Sequence, residues 1–394
     1  MTTRRLALFP PLLLLLSPLL VVEARPLLVF FIDALRYDYV DDLKSLPGFR
    51  QLLESGVKVD YMTPVFPSLS IPNFYSLMTG RYPDVHQMTG NYMWDEKSGK
   101  KFLLGTNPES ALPLWWEGSE PLWVTLQKMG KRASMYNMPG CQVMIFGVRV
   151  WYCKPFVPNI SATRLIQITE EALDDLGSGK ADLAAVYYEN LDKVGHYFGA
   201  DTYPMKAAVQ RLDAAMVALN SKLKEKNLVD KLNIMMFSDH GMTNLKSDRI
   251  IELDKLIVMS DIEKMVGRGP VVSVWPKGGK FESLRASLSR IKNMNTYTKQ
   301  EIPARFHYKG GRFVSPLTLV AEPGWYIAEN TAVVQAYLIH LSEDLQFGWH
   351  GYDNEHVDMR AFFFASGPDF GGLLDCSSEL YKQILECYCH LLPH

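Results

Sequence analysis

The sequence predicts an α/β domain, a central and mainly parallel sheet flanked by helices. Several short apolar runs end abruptly near a carboxylate, helical periodicity fills the segments between them, and the two alternate along the chain. Leu27 to Ile32 is apolar throughout and stops at Asp33, Leu183 to Tyr188 leads to Asp192, and Ile234 to Phe237 stops at Ser238-Asp239-His240. Runs this short and apolar on both faces suit strands buried in a parallel sheet. Strands alternating with helices give the parallel α/β layout, in which ligands gather beyond the carboxyl ends of the strands. The aspartates stand at those ends.

The helices follow from spacing and caps. Over 205–227, Val209, Leu212, Met216, Leu219 and Leu223 recur at three- and four-residue intervals, the stripe of a half-buried helix. Asp201-Thr202 and Pro204 open it. A second helix is predicted over 119–130, opened by Ser119 and Glu120 with Pro121 in its first turn. A third runs from Ser70 through Phe74 to Met78 and ends at Gly80.

Composition limits the function classes. The 394 residues carry 41 Lys and Arg against 43 Asp and Glu, a formal charge of −2, so nucleic acid held by phosphate contacts is excluded as a partner. With 47% hydrophobic and 12% aromatic residues the chain can build a packed core and is not a disordered acidic one. Five cysteines are too few for a disulfide scaffold and too scattered for a zinc finger. There is no low-complexity linker and no internal repeat, so residues 25–394 read as a single domain.

Arg4 and Arg5 precede an apolar run from Leu6 to Val22, and Val22-Glu23-Ala24 supplies small residues for cleavage. Residues 1–24 are predicted to be a secretory signal peptide. The alternative is a transmembrane anchor of roughly 18–20 residues, against which Pro10, Pro11 and Pro18 interrupt the run. Secretion permits disulfides. Cys141 and Cys153 enclose a short loop and are the candidate pair, while Cys376, Cys387 and Cys389 leave an odd thiol. Asn159-Ile160-Ser161 is a glycosylation sequon.

Each strand-terminal aspartate taken alone has a plain structural explanation, since Asp after a strand commonly caps the next helix. Histidines accompany these aspartates, however. Asp192 and His196 lie four apart, one above the other if the segment is helical. Asp239-His240 adds an adjacent pair, and His350 sits in the glycine-flanked Gly348-Trp349-His350-Gly351. Carboxylate oxygen with imidazole nitrogen suits Zn²⁺, and six such groups exceed one tetrahedral site, so two metals are the economical reading. Calcium is disfavoured because half the ligands are imidazoles. Paired metals clamp the attacking and leaving oxygens of a phosphoryl displacement. A nucleophile is available in Pro67-Ser68-Leu69-Ser70-Ile71-Pro72-Asn73. Ser70 at a helix N-terminus would face free N–H groups that favour an alkoxide. It could equally cap that helix, and spacing alone does not choose between Ser68 and Ser70.

In this order, Asp33, Pro67–Asn73, Asp192-x-x-x-His196, Ser238-Asp239-His240-Gly241-Met242 and Gly348-Trp349-His350-Gly351 resemble the ectonucleotide pyrophosphatase/phosphodiesterase family of the alkaline phosphatase superfamily. The resemblance runs from residue 26 to about 370 and implies an alkaline phosphatase-like fold. It narrows to the choline-specific branch, the glycerophosphocholine choline phosphodiesterases, through Gly90-Asn91-Tyr92-Met93-Trp94-Asp95, Leu112-Pro113-Leu114-Trp115-Trp116, Arg268 to Ser273 and Gly351 to Glu355. A serine nucleophile is typical of that branch. The resemblance implies one zinc on Asp192, His196 and His350. It implies a second on Asp33, Asp239 and His240, with Ser70 as catalytic nucleophile bound there. Asn91 is implied as donor to a phosphate oxygen, with Asn91, Asp192 and Tyr187 as substrate-binding residues. The implied reaction is zinc-dependent hydrolysis of glycerophosphocholine or lysophosphatidylcholine, releasing phosphocholine by way of a phosphoserine. Tyr187, Tyr188 and Glu189 are the expected lining of the choline site, with ordinary strand packing as the other explanation of the tyrosines. Lys154-Pro155-Phe156-Val157-Pro158 departs from that branch. The alternatives are a nucleotide phosphodiesterase of the same family and an inactive member.

The choline-specific branch resembles proteins held at the plasma membrane by a GPI anchor. After about 370 this chain lacks the apolar stretch such an anchor signal needs, so an atypical C-terminus and an extracellular, secreted product are expected. The expected partners are a choline phosphodiester or lysophospholipid, with room for a homodimer.

Overall fold

The computed structural model describes residues 25–370 except 55, 105–106 and 339–346; residues 335–338 are described by backbone alone. The expected signal peptide, the three late cysteines and the expected C-terminal departure lie outside the described residues.

Alternation within one apolar strand builds two cores at once. Leu27, Val29 and Phe31 enter one core, while Leu28, Phe30 and Ile32 enter the other, because successive side chains leave a strand on opposite faces. That strand, Leu27–Ile32, is central in a seven-stranded sheet. In spatial order the strands are Gly56–Lys58, Phe363–Ser366, Asn233–Phe237, Leu27–Ile32, Leu183–Tyr188, Ala133–Met138 and Tyr152–Pro155. The pairings from 233–237 through 152–155 are parallel, and Phe363–Ser366 runs antiparallel to both its neighbours. The fold is thus the mainly parallel α/β sheet expected from the sequence.

Helices cover both faces. Pro47–Leu53, Ala162–Gly177 and Tyr203–Glu225 contribute Phe49, Leu165, Leu212 and their neighbours to one core. Ser70–Thr79 and Leu122–Lys128 contribute Phe74, Leu77 and Trp123 to the other. The long helix begins just after Thr202 with Pro204 in its first turn, and Val209, Leu212, Met216, Leu219 and Leu223 are all buried. In the helix expected over 119–130, Pro121 is the N-cap residue and not part of the first turn, so the helix spans only Leu122–Lys128. Pro121 adopts extended ψ there, and its carbonyl accepts the first helical N–H bonds. Cys141 and Cys153 form a disulfide, with Cα atoms 5.6 Å apart.

A second, antiparallel sheet follows in the chain, in the order Ile262–Val266, Val271–Pro276, Leu317–Ala321, Met294–Thr298, and is covered by the helix Phe281–Leu288. The connection 267–270 brings this sheet to the mouth of the site. Among the described residues no helix is long and apolar enough to cross a membrane.

Candidate active site

The three strand ends deliver their aspartates to one place. Asp33 directly follows Ile32, and Asp239 lies two residues beyond Phe237 on the neighbouring strand. Asp192 is reached from the strand 183–188 through the first turn of the helix Asn190–Phe198, which carries His196 one turn further on. The helix can approach the 347–349 strand because both partners lack a side chain at the contact. A Cβ on Gly348 would stand 2.6 Å from the Gly195 carbonyl oxygen.

Histidine orientation is set by the backbone. His196 Nδ1 lies 3.0 Å from the Gly348 carbonyl, His240 Nδ1 2.8 Å from the Gly241 carbonyl and His350 Nδ1 3.0 Å from the Ser68 carbonyl. A carbonyl can only accept, so each Nδ1 carries the proton and donates, and each Nε2 lone pair is turned inward. Those nitrogens converge on carboxylate oxygens. His196 and His350 Nε2 each stand 3.3 Å from Asp192 Oδ1, and His240 Nε2 stands 3.4 Å from Asp33 Oδ1 and 3.3 Å from Asp239 Oδ2. These three oxygens, Asp33 Oδ1, Asp192 Oδ1 and Asp239 Oδ2, are buried and have no hydrogen-bond partner among the described residues.

Acceptors facing acceptors in a buried place are satisfied by a cation or a proton shared between them. Two sets have their ligand atoms within 4.8 Å of one another: Asp33 with Asp239 and His240, and Asp192 with His240 and His350. His240 is common to both, and its ring stacks on His350 with centroids 3.6 Å apart. His196 meets Asp192 from the other side. Carboxylate oxygens and neutral imidazoles are the donor set zinc prefers, so the residues fit that metal.

The electrostatics agree. Burial, then the neighbouring Asp239 and Asp192, push the Asp33 carboxyl well above its ordinary range, and burial likewise raises Asp239. For Asp192 burial also works upward, but His196 outweighs it and holds its carboxyl below the usual range. Burial, followed by His240, keeps His350 neutral, well below the usual imidazole value.

Ser70 is the first residue of its helix, half-buried, with Oγ 3.3 Å from His240 Nε2, and it makes no capping bond. Ser68 is fully buried and donates its hydroxyl to the Tyr352 carbonyl at 3.0 Å. Of the two serines that spacing left open, Ser70 lines the cavity, whereas Ser68 does not and spends its hydroxyl on the Tyr352 carbonyl. Asn91 Oδ1 accepts the Ile71 N–H at 2.9 Å, which fixes the amide and leaves its NH₂ end as the donor at the cavity wall. Asn73 ties the preceding loop to the helix through the Val65, Pro67 and Leu69 carbonyls.

The two tyrosines of the expected choline lining separate by strand alternation. Tyr188 packs into the opposite core with Leu28 and Leu165, so it does not line the site as expected. Tyr187 is on the correct face but buried, its ring 5.0 Å from Phe31 and 5.8 Å from Phe156, its hydroxyl donating to Asp33 Oδ2. It is held behind a candidate metal ligand. Glu189 accepts the Asn159 N–H, and its carboxyl is raised first by burial and also by Asp192. Sequence reasoning missed the three orienting carbonyls and the Tyr187–Asp33 bond; the phase of the strand was the one signal available.

In front of Ser70 lies a cavity of about 280 Å³. Its walls include Ser70, Asn91, Asp192, His196 and His350, and it continues past Tyr92, Arg268, Trp275 and Trp349.

Residues 27–353 match the type I phosphodiesterase/nucleotide pyrophosphatase family. The chain is 31% identical over 372 residues to ectonucleotide pyrophosphatase/phosphodiesterase family member 5 of Homo sapiens, covering 94% of this chain and 74% of that one. It is 32% identical over 376 residues to the bis(5'-adenosyl)-triphosphatase enpp4 of Mus musculus, covering 94% and 78%. The solved structure of the human family member 5 superposes with a TM-score of 0.84 at 29% identity, covering 94% and 96%. An inactive variant of the murine protein in complex with AMP gives 0.81 at 30%, with the same coverage.

Proposed function

The chain belongs to the type I phosphodiesterase/nucleotide pyrophosphatase family, and from that premise we propose that it hydrolyses choline phosphodiesters through a phosphoserine formed on Ser70. Glycerophosphocholine and lysophosphatidylcholine are the substrates of this reading, with phosphocholine as the common product.

Asp33, Asp239 and His240 would hold one zinc beside Ser70, and Asp192, His196 and His350 a second. When bound, the metals supply the positive charge that favours a serine alkoxide and neutralises developing charge on phosphoryl oxygens. Ser70 gives its hydroxyl proton to water and its Oγ attacks phosphorus in line. The bond to the leaving-group oxygen breaks on the opposite side, and that oxygen departs with a proton from water. A water then adds to the phosphoserine, returning the hydroxyl to Ser70 and freeing phosphocholine. The Asn91 amide donates to a non-bridging oxygen in both transition states. The buried carbonyl bonds of the three histidines keep the imidazoles from rotating during either step.

The choline reading is supported by aromatic rings and a carboxylate packed behind the Asp33 end of the site, Tyr187 itself being buried and outside the walls of the cavity. Phe156 and Tyr187 are adjacent rings, and Glu189 adds a carboxylate whose field reaches Tyr187 and Asp192. A trimethylammonium is a soft cation suited to aromatic faces with an anion nearby. A second reading, a nucleotide diester, is supported by the similarity to a bis(5'-adenosyl)-triphosphatase and to a protein bound to AMP. Rates on p-nitrophenyl phosphorylcholine and p-nitrophenyl thymidine 5'-monophosphate separate the two. The choline ester should be cleaved faster; faster cleavage of the nucleotide ester sinks the choline reading. The Cys141–Cys153 disulfide supports passage through an oxidising, secretory compartment.

A further inference from the structure

We infer that Arg268 is a specificity residue for the leaving group, donating to an oxygen of the departing alcohol or phosphate in the cavity beyond His196. This rests on the phosphodiesterase reading above but not on the identity of the retained head group.

In-line attack by Ser70 sends the leaving oxygen to the far side of phosphorus, toward Asp192, His196 and His350. The cavity continues on that side, and among the described residues Arg268 is the sole Lys or Arg in its wall. The candidate choline corner at Tyr187 and Phe156 lies instead behind Asp33. Retained head group and leaving group would therefore occupy different regions, and the arginine belongs to the second.

Its position is fixed by several contacts. Arg268 Nη2 donates to the Tyr92 hydroxyl at 3.2 Å, and the guanidinium lies 5.1 Å from the Tyr92 ring centre. The following residue, Gly269, exchanges two backbone bonds with Ile327, at 2.9 and 3.0 Å. Gly269 has φ +82°, and a Cβ there would stand 2.5 Å from Trp349 Nε1. Trp349 in turn packs edge-on against His196, with ring centres 4.5 Å apart. The loop bearing Arg268 is thus held against the tryptophan that borders a candidate metal ligand. A planar fork of donors in this place recognises hydroxyl, ester or phosphate oxygens two or three bonds beyond the scissile one. A nitrophenolate offers none of these at that distance.

The test compares leaving groups within each head-group series. For Arg268→Met and Arg268→Gln, kcat/KM on glycerophosphocholine should fall about 10–100-fold, and on p-nitrophenyl phosphorylcholine less than about threefold, with zinc content unchanged. Bis(5'-adenosyl) triphosphate against p-nitrophenyl thymidine 5'-monophosphate forms the parallel pair. A wild-type protein active only in the nucleotide series overturns the choline reading, and the Arg268 inference is then judged on that second pair. Tyr92→Phe, which removes the contact to Nη2, should act in the same direction but more weakly. Equal losses on both members of whichever pair is cleaved, or no loss on either, overturn the inference.

Discussion

The half of the site built by Asp33, Asp239 and His240 and the half built by Asp192, His196 and His350 offer equal numbers of side chains with opposite charge balance. The first has two carboxylates to one imidazole. Both its carboxyls are pushed upward, chiefly by burial. In the second, one carboxylate is held low, against burial, by His196. The difference teaches that the first half depends more on a bound cation, because His240 and the Tyr187 hydroxyl do not offset the burial that raises its two carboxyls. The two serines divide along the same line. Ser70 Oγ faces His240, whereas the Ser68 carbonyl orients His350.

The largest expected effect breaks the chemistry while leaving both halves intact. Ser70→Ala should lower kcat by about 10⁴–10⁶-fold, the scale of losing a nucleophile, while elemental analysis still finds about two zinc ions per chain. Retained turnover would mean that a water, and not Ser70, attacks.

Next in size is a change confined to one half. Tyr187→Phe removes the hydroxyl that donates to Asp33 Oδ2 while preserving the ring between Phe31 and Phe156. Loss of such an outer contact costs about 10–100-fold in metal affinity. Competition with a chromophoric chelator should show one zinc weakened by that factor and the other unchanged. Equal weakening of both would dissolve the distinction between the halves.

Acid stability reads the charge balance of the two halves together. Raised folded-state carboxyls such as Asp33 and Asp239 cost stability above the unfolded value near 4, and the cost is relieved as pH falls through their folded values. His196, whose pKa is raised because Asp192 outweighs burial, adds stability in the same direction. His350, lowered, works against them below about 6.5. Asp192 contributes above about 4 and loses that contribution only below it. Chelator-treated protein should therefore melt about 2–4 °C higher at pH 5 than at pH 8, and zinc-loaded protein should show the reverse order. Calorimetry at the two pH values decides; the same order in both forms contradicts the charge account.

How much of this was legible beforehand differs from element to element. The strand ends at Asp33 and Asp239 were readable because a buried parallel strand is apolar on both faces and must stop where a charge begins. The four-residue spacing of Asp192 and His196 put them on one face only on condition of a helix, a condition the helix Asn190–Phe198 meets. The imidazole orientations were not, since His350 finds its acceptor 282 positions away in the Ser68 backbone and a carbonyl leaves no mark on composition. The opposite facing of Tyr187 and Tyr188 was implicit in the period of two. The antiparallel sheet of 262–321 escaped notice because polar residues such as Lys264, Ser273, Asn295 and Thr318 interrupt its strands, yet it carries Arg268 to the cavity.

The smallest expected effect concerns Ser68, the serine that spacing could not distinguish from Ser70. Its hydroxyl is fully buried and donates to the Tyr352 carbonyl, and its own carbonyl accepts from His350. Ser68→Ala deletes the first contact and keeps the second. The Tyr352 carbonyl is left short of a donor, costing about 1–3 kcal/mol, to be read from urea unfolding. Because the backbone acceptor for His350 remains, kcat should stay within about threefold of wild type, well short of the tenfold that about 1.4 kcal/mol in a barrier produces. A large kcat loss with unchanged stability would reverse the roles assigned to the two serines, and with them the division of the site into a nucleophile half and a leaving-group half.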